Sequence, residues 1–267
     1  MLRTDTVGGV PGLAWKERTP GAGVPVREVE VPDAFAAAMD RLTRPHYQPA
    51  DLAHPIVDAL PVTGAAISTM GEFLGNETVS ATDRLAARLD EVQFDLGEGP
   101  CWDALKNARP VIEPDVRRKP SGVWPAFSEA IRQDDIGALF AFPLFVGPLR
   151  LGAIDLYSSR PQQLSDLHAQ QTTAFAAVVS RLILHHALAR VGRDDTPEAD
   201  PRFSRRVIHQ ATGMVLAQLN LPPDEARLVI QAHAFAVGRS MQEIAEDIVE
   251  RRLNFSVSDN GIEESND

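Results

Sequence analysis

The chain has 267 residues, 44% of them hydrophobic, and 26 Lys and Arg against 37 Asp and Glu give it a net charge of −11. That length suits two domains with a sizeable core in the first, while the acidic balance argues against a general nucleic-acid binder, whose nonspecific affinity comes from cations meeting phosphates. Cys101 is the sole cysteine and no run of eighteen apolar residues occurs, which excludes an intrachain disulfide and a cysteine-rich zinc site and gives no membrane-spanning pattern.

Residues 1–31 are rich in Gly, Pro and Val with scattered charge and are expected to form a disordered extension. They lack the basic-then-apolar pattern of a leader, so a cytoplasmic protein with no membrane association is expected. Helices are predicted over Pro32–Leu42 and Pro49–Leu60, with prolines breaking the pattern between them. Gly64–Thr69 is small, apolar and β-compatible, Gly71–Gly75 reads as a turn and Thr78–Ala81 as a second short strand. Helical spacing returns at Leu85, Leu89 and Val92, before a loop over Asp95–Pro100 and a helix over Cys101–Ala108. Val111-Ile112 is a brief strand and Trp124–Arg132 a helix. Ala138–Val146 and Leu149–Tyr157 are long strands joined tightly at Gly147-Pro148. Leu164–Val191 contains no Gly or Pro and carries a partial apolar stripe of Leu167, Phe175, Val178, Leu182 and Ile183; charge and two prolines then interrupt the chain to Pro201.

The residues Gly97-Glu98-Gly99-Pro100-Cys101, Pro110-Val111, Pro114-Asp115, Trp124-Pro125-Ala126-Phe127, Phe142-Pro143-Leu144 and Leu151-Gly152-Ala153-Ile154-Asp155-Leu156-Tyr157 carry a resemblance to the GAF domain. More closely, the segment Pro49–Leu188 resembles the GAF half of actinobacterial GAF-ANTAR regulators. The resemblance implies an antiparallel sheet between helices, a small-molecule ligand of unknown identity on one sheet face, and flanking helices that pair in a homodimer.

Three residues here are candidates for ligand binding or sensing. Cys101 follows a Gly-rich loop at a helix N-terminus, where a thiolate is stabilised; a small buried packing residue is the favoured alternative. Asp155 interrupts an apolar strand and faces either a pocket or solvent. Trp124 is either a pocket wall or a packing residue beneath a loop. His185 and His186 are adjacent on a helix and point about 100° apart, a poor arrangement for one metal. No phosphate-binding loop, nucleophile elbow or zinc-protease element occurs, so neither an enzyme nor a cofactor is expected.

The last quarter is predicted as three short amphipathic helices. In the first, Phe203–Leu219, Ile208, Ala211, Val215 and Leu219 share one arc, and Arg205, Arg206, His209, Gln210 and Gly213 lie opposite or beside it. The second follows Pro222-Pro223 with Asp224-Glu225 in its first turn, a buried arc of Ala226, Val229, Ile230, His233 and Val237, and Gly238 at its end. Ser240 and Glu243 form a capping box for the third, whose Met241, Ile244, Ala245 and Ile248 share a face.

The run Gln210-Ala211-Thr212-Gly213-Met214-Val215-Leu216, then Asp224-Glu225-Ala226, Ala234, Arg239 and Ile244-Ala245-Glu246-Asp247-Ile248-Val249, resembles the ANTAR domain. ANTAR domains are three-helix modules that bind RNA stem-loops in nascent transcripts and prevent premature termination. Thr212 and Ser240 stand where the family usually has basic residues. The RNA-binding set expected here is Arg205, Arg206, His209, Thr212, Gly213 and Arg239. Asp200–Phe255 holds seven acidic and seven basic residues and Ser256–Asp267 four acids and no base, so the remaining −7 lies in residues 1–199. A neutral module of this kind reads structure more than raw charge.

The expected fold class is therefore α+β: a disordered extension (1–31), a GAF sensor domain with flanking helices (32–191), a linker (192–201), an all-α ANTAR domain (202–255) and an acidic disordered tail (256–267). The leading function is transcription antitermination through RNA stem-loops under control of the GAF domain. One alternative is a helix-turn-helix DNA-binding factor, suggested by Val237–Ser240 and Gln242–Ala245. Another is a ligand-binding dimeric module that has lost RNA binding, suggested by Thr212 and Ser240.

Overall fold

Short runs rich in small, aliphatic and aromatic residues build five strands: β1 (Gly64–Thr69), β2 (Glu77–Ala81), β3 (Val111–Glu113), β4 (Ala138–Val146) and β5 (Leu149–Ser158). In the computed structural model, which describes residues 33–44, 48–71, 74–118, 122–190, 205–258 and 261–266, they form one sheet, antiparallel throughout, in the order β2-β1-β5-β4-β3. The expected extension (1–31) and linker (192–201) lie outside the described residues.

Successive side chains of a strand point to opposite faces, and here both faces are covered. Ala65, Ile67, Phe140, Phe142, Ile154 and Leu156 pack toward α1 (Ala34–Leu42), α2 (His54–Ala59) and α6 (Asp166–Arg190). On the opposite face, Ala66, Leu139, Ala153 and Tyr157 meet α3 (Arg84–Leu96), α4 (Pro100–Asn107) and α5 (Pro125–Ala130). The strands β1 and β5 approach so closely that a Cβ on Gly152 would lie 1.8 Å from the Ser68 carbonyl oxygen, so only glycine fits there.

The expected helix over Pro49–Leu60 is a single 3-10 turn, Pro49–Asp51, followed by α2. Asp83 caps α3 by accepting from the Ala86 amide at 2.9 Å, and the helix runs to Leu96, where Gly97 takes the left-handed conformation, φ 66°. Asp95, expected in a loop, therefore stands on the last turn of α3. By length and composition α6 could cross a membrane. Its Phe175, Val179 and Ile183 are nevertheless buried against the sheet, while Leu167 of the expected stripe is 61% exposed.

Three further helices, α7 (Arg206–Leu219), α8 (Pro223–Val237) and α9 (Met241–Val249), enclose a second core. The capping box of α9 is complete: Ser240 accepts from the Glu243 amide at 3.2 Å and Glu243 accepts from the Ser240 amide at 2.9 Å. The buried arc of α8 differs from the expected one. Ala226, Ile230 and Ala234 face inward, while Val237, in the last position of the helix before the Gly238 cap, is 47% exposed and lies outside the core.

A larger difference lies at the C-terminus, where β6 (Leu253–Ser258) and β7 (Gly261–Asn266) pair as an antiparallel hairpin in place of the expected acidic disordered tail. Leu253 and Phe255 alternate inward and close the three-helix core. The Phe255 amide donates to Gln218 Oε1 at 3.1 Å, and His233, expected in the core, is instead half-buried against the hairpin with Nδ1 2.7 Å from Glu264 Oε2. The chain is thus α+β, a helix-covered antiparallel sheet followed by a helical region.

Candidate functional site

By its pattern alone, the first turn of α7 presents cations to solvent. Arg205, immediately before α7, is instead only 7% exposed: its Nη2 donates to Asp95 Oδ1 at 2.8 Å and its guanidinium lies 5.3 Å from the centre of the Phe94 ring. The second oxygen of Asp95 accepts from the Met241 amide at 2.9 Å. That amide is at the start of α9, where the first N–H groups have no partner within the helix. One turn along α7, His209 Nε2 lies 3.6 Å from Glu77 Oε1 on β2. Of the six expected RNA-binding residues, Arg205 is therefore bonded to a carboxylate of the sheet domain, and His209, itself exposed, lies near a second.

The other four are arranged differently. Arg206 and Gly213 are exposed, and a Cβ on Gly213 would meet nothing within 4 Å. Thr212 is half-buried, with its hydroxyl donating to the Ile208 carbonyl at 2.7 Å. Arg239 donates to Asp247 Oδ2 at 2.6 Å, while Arg252 Nε donates to Asp247 Oδ1 at 2.7 Å. These two hydrogen bonds hold the Asp247 carboxyl below its ordinary range. Arg206, His209, Gly213 and Arg239 are the exposed members of the set; Arg205 is a correction to the expected basic face.

Beneath α3 and α4 lies a second feature, a buried polar cluster. Asp90, Gln93, Ser68, Thr78 and Cys101 are at most 2% exposed and Asp155 is 8% exposed. Thr78 Oγ1 donates to Asp90 Oδ2 at 3.1 Å, Gln93 Nε2 donates to Asp155 Oδ1 at 3.4 Å, and Gln93 Oε1 accepts from the Cys101 amide at 2.8 Å. Ser68 Oγ, Asp90 Oδ1 and Asp155 Oδ2 are buried without a hydrogen-bond partner. Burial pushes the Asp155 carboxyl up to about 7, and burial followed by the charge of Asp155 raises Asp90 well above the usual carboxylate range. Asp155 therefore points into the protein under α3. Burial, then the two carboxylates, also raises the Cys101 thiol, which outweighs any stabilisation of a thiolate by the start of α4.

Trp124 stands apart from this pair. It is 8% exposed, donates from Nε1 to Asp103 Oδ2 at 3.0 Å, and lines a cavity of about 660 Å³ with Val116, Phe127, Ile131 and Leu139. The three candidate ligand residues thus fall into two places, Cys101 and Asp155 in the polar cluster and Trp124 at the cavity. Among the described residues, no group of three or more His, Cys, Asp or Glu is placed to hold a metal ion.

Sequence reasoning missed Asp95, Glu77, Asp90 and Gln93. Asp90 is one residue past Leu89 in a helix with a clear apolar period, which is the signal that could have flagged it; Asp95 and Glu77 carry none, because their partners are 110 or more residues away in the chain.

An antiparallel sheet in the order β2-β1-β5-β4-β3 with helices on both faces is thus followed by a capped helix triplet with its own core. The chain belongs to the GAF domain family, whose profile matches residues 48–183, just over half of its length, and an ANTAR domain matches residues 203–249. Similar solved structures include a domain assigned to a two-component sensor histidine kinase of Sinorhizobium meliloti 1021, 20% identical, covering 54% of this chain and 93% of that one with a TM-score of 0.42. The GAF domain of an Acinetobacter phosphoenolpyruvate-protein phosphotransferase is 13% identical and covers 61% and 96%, with a TM-score of 0.47. A free methionine-R-sulfoxide reductase of Neisseria meningitidis is 14% identical and covers 58% and 87%, with a TM-score of 0.42. No curated protein sequence matches the chain.

Proposed function

We propose that this protein is a cytoplasmic, signal-responsive regulator whose ANTAR domain binds RNA stem-loops in nascent transcripts and prevents premature termination, under control of its GAF domain. The observation that carries the reading is the coincidence of the ANTAR match, residues 203–249, with the three helices that share one core. Arg206, His209, Gly213 and Arg239 form the exposed part of its RNA face. The GAF domain receives a small molecule on the α3–α4 side of the sheet, and two copies of the chain associate through the helices flanking the GAF sheet. No catalytic step is assigned to either domain.

In the helix-turn-helix reading, a further recognition helix follows α9. Here α9 is followed by the β6–β7 hairpin, with Glu264 on its outer strand, and acid beside a duplex repels phosphates. The reading without RNA binding draws support from the Ile208-bound hydroxyl of Thr212 and the buried guanidinium of Arg205.

The deciding experiment is equilibrium binding of the full chain to tandem RNA hairpins and to duplex DNA of equal length. Preference for hairpin RNA is expected; preference for the duplex favours the helix-turn-helix reading, and binding to neither favours the third.

A further inference from the structure

Asp95 of the GAF domain is held as an anion would be held. Its two oxygens are taken separately, one by the buried Arg205 guanidinium at 2.8 Å and one by the Met241 amide at the start of α9 at 2.9 Å. A guanidinium beside a free helix N-terminal amide is a donor set for any anion with two oxygens, carboxylate or phosphodiester. The Ser240 side chain is engaged with the Glu243 amide, so the Met241 amide remains available for an external acceptor. A second GAF carboxylate, Glu77, approaches His209 at 3.6 Å, and positions 205 and 209 share one side of the helix. The GAF domain therefore lays two carboxylates along the face of the ANTAR domain where phosphates are expected.

We propose that Arg205 and the N-terminus of α9 form a phosphate-binding site for RNA, and that Asp95 occupies it in this structure as a stand-in for an RNA phosphate. The inference rests on the RNA-binding reading above and adds its regulation. GAF docking and RNA compete for the same donors, so the docked chain is the closed form. Arg205 is buried because Phe94 and Asp95 cover it; release of α3 exposes it.

The test uses the full chain and a fluorescent pool of tandem RNA hairpins with randomised loops, comparing wild type with Asp95→Ala and the near-isosteric Asp95→Asn. At least about tenfold tighter binding is expected for Asp95→Ala, with a salt dependence steeper by about 0.7 to 0.9 in log–log slope, as one more phosphate is neutralised. Adding Arg205→Gln to Asp95→Ala is expected to return the affinity to that of wild type. Hydrogen exchange at the Met241 amide gives an independent readout: faster in Asp95→Ala, and slowed again by the RNA pool. If either Asp95 variant speeds Met241 exchange but binds the pool no more tightly than wild type, the phosphate site is refuted and the RNA-binding reading stands. If the exchange is unchanged in both variants, the closed form itself is refuted. If the variants open as expected and no form of the protein binds the pool, the RNA-binding reading fails and the inference with it. Thermal unfolding of each variant confirms the fold, and Asp95→Asn carries the comparison where the alanine chain is unstable.

Discussion

Gln93 on α3 donates from Nε2 to Asp155 Oδ1 on β5 at 3.4 Å, leaving Asp155 Oδ2 buried with no partner. The carboxyl is pushed up to about 7 by burial, whereas an unfolded aspartate titrates near about 4. Between these values the folded chain holds a proton that the unfolded chain has released. This contribution to stability is full below about pH 4 and is lost as the pH rises through about 7. Asp155→Asn keeps the neutral shape at every pH. It is expected to match wild type near pH 4 and to exceed it by on the order of 1 to 3 kcal/mol at pH 8. Denaturant midpoints at the two pH values check this, and a difference that does not grow with pH refutes it.

Cys101 is fully buried with a raised thiol pKa, so a packing role is expected. Alkylation of the native chain should be slow and become fast on unfolding. Peroxide should leave RNA binding of wild type and Cys101→Ser equally unaffected. A wild-type response that the Ser variant lacks establishes redox sensing instead.

Leu188 near the end of α6 is 56% exposed, whereas Leu182 is half-buried against its own domain. If α6 pairs between copies, Leu188→Glu should convert a dimer to a monomer in sedimentation while leaving the melting temperature within a few degrees, since exposed positions contribute little to the fold. A wild-type chain that sediments as a monomer at micromolar concentration rejects the homodimer.

For the exposed part of the RNA face, Arg206→Ala and Arg239→Ala are each expected to weaken hairpin binding and to lower the salt slope by about 0.7 to 0.9. Thr212→Lys adds a cation at the border of this face and should strengthen binding. Normal folding with unchanged affinity in both alanine variants places the surface elsewhere.

Much of the fold is legible in the chain because the cues are local. The span of β1, the turn at Gly147-Pro148 and the Ser240 capping box each depend on residues a few positions apart, and each stands where the pattern puts it. Two kinds of feature escape this reading. The β6–β7 hairpin hides behind Asp259, Glu263, Glu264 and Asp267, whose charge outweighs the inward alternation of Leu253 and Phe255. The burial of Arg205 is decided by Asp95 and Phe94, which only the tertiary fold brings to it; periodicity alone places it on an exposed face. The polar cluster is intermediate: Asp155 stands out as a charge in an apolar strand, but both sheet faces are covered, so the choice between pocket and solvent needs α3 in place.

The long uninterrupted helix before residue 191 suggests a signal that leaves the GAF domain along the backbone. Yet α3 carries Asp90 and Gln93 toward the interior and Asp95 toward the ANTAR domain, so one rigid helix spans the distance between them, about 7.5 Å along its axis from Asp90 to Asp95. Communication across a surface does not depend on covalent continuity. In separately expressed halves, divided between Arg190 and Arg205, Asp95 and its two donors, Arg205 and the Met241 amide, are all retained, so mixing the halves is expected to restore these contacts. If Asp95 competes with RNA as proposed, a GAF fragment supplied in trans would silence a free ANTAR fragment, and lengthening the tether would lower the effective concentration of Asp95 at its donors.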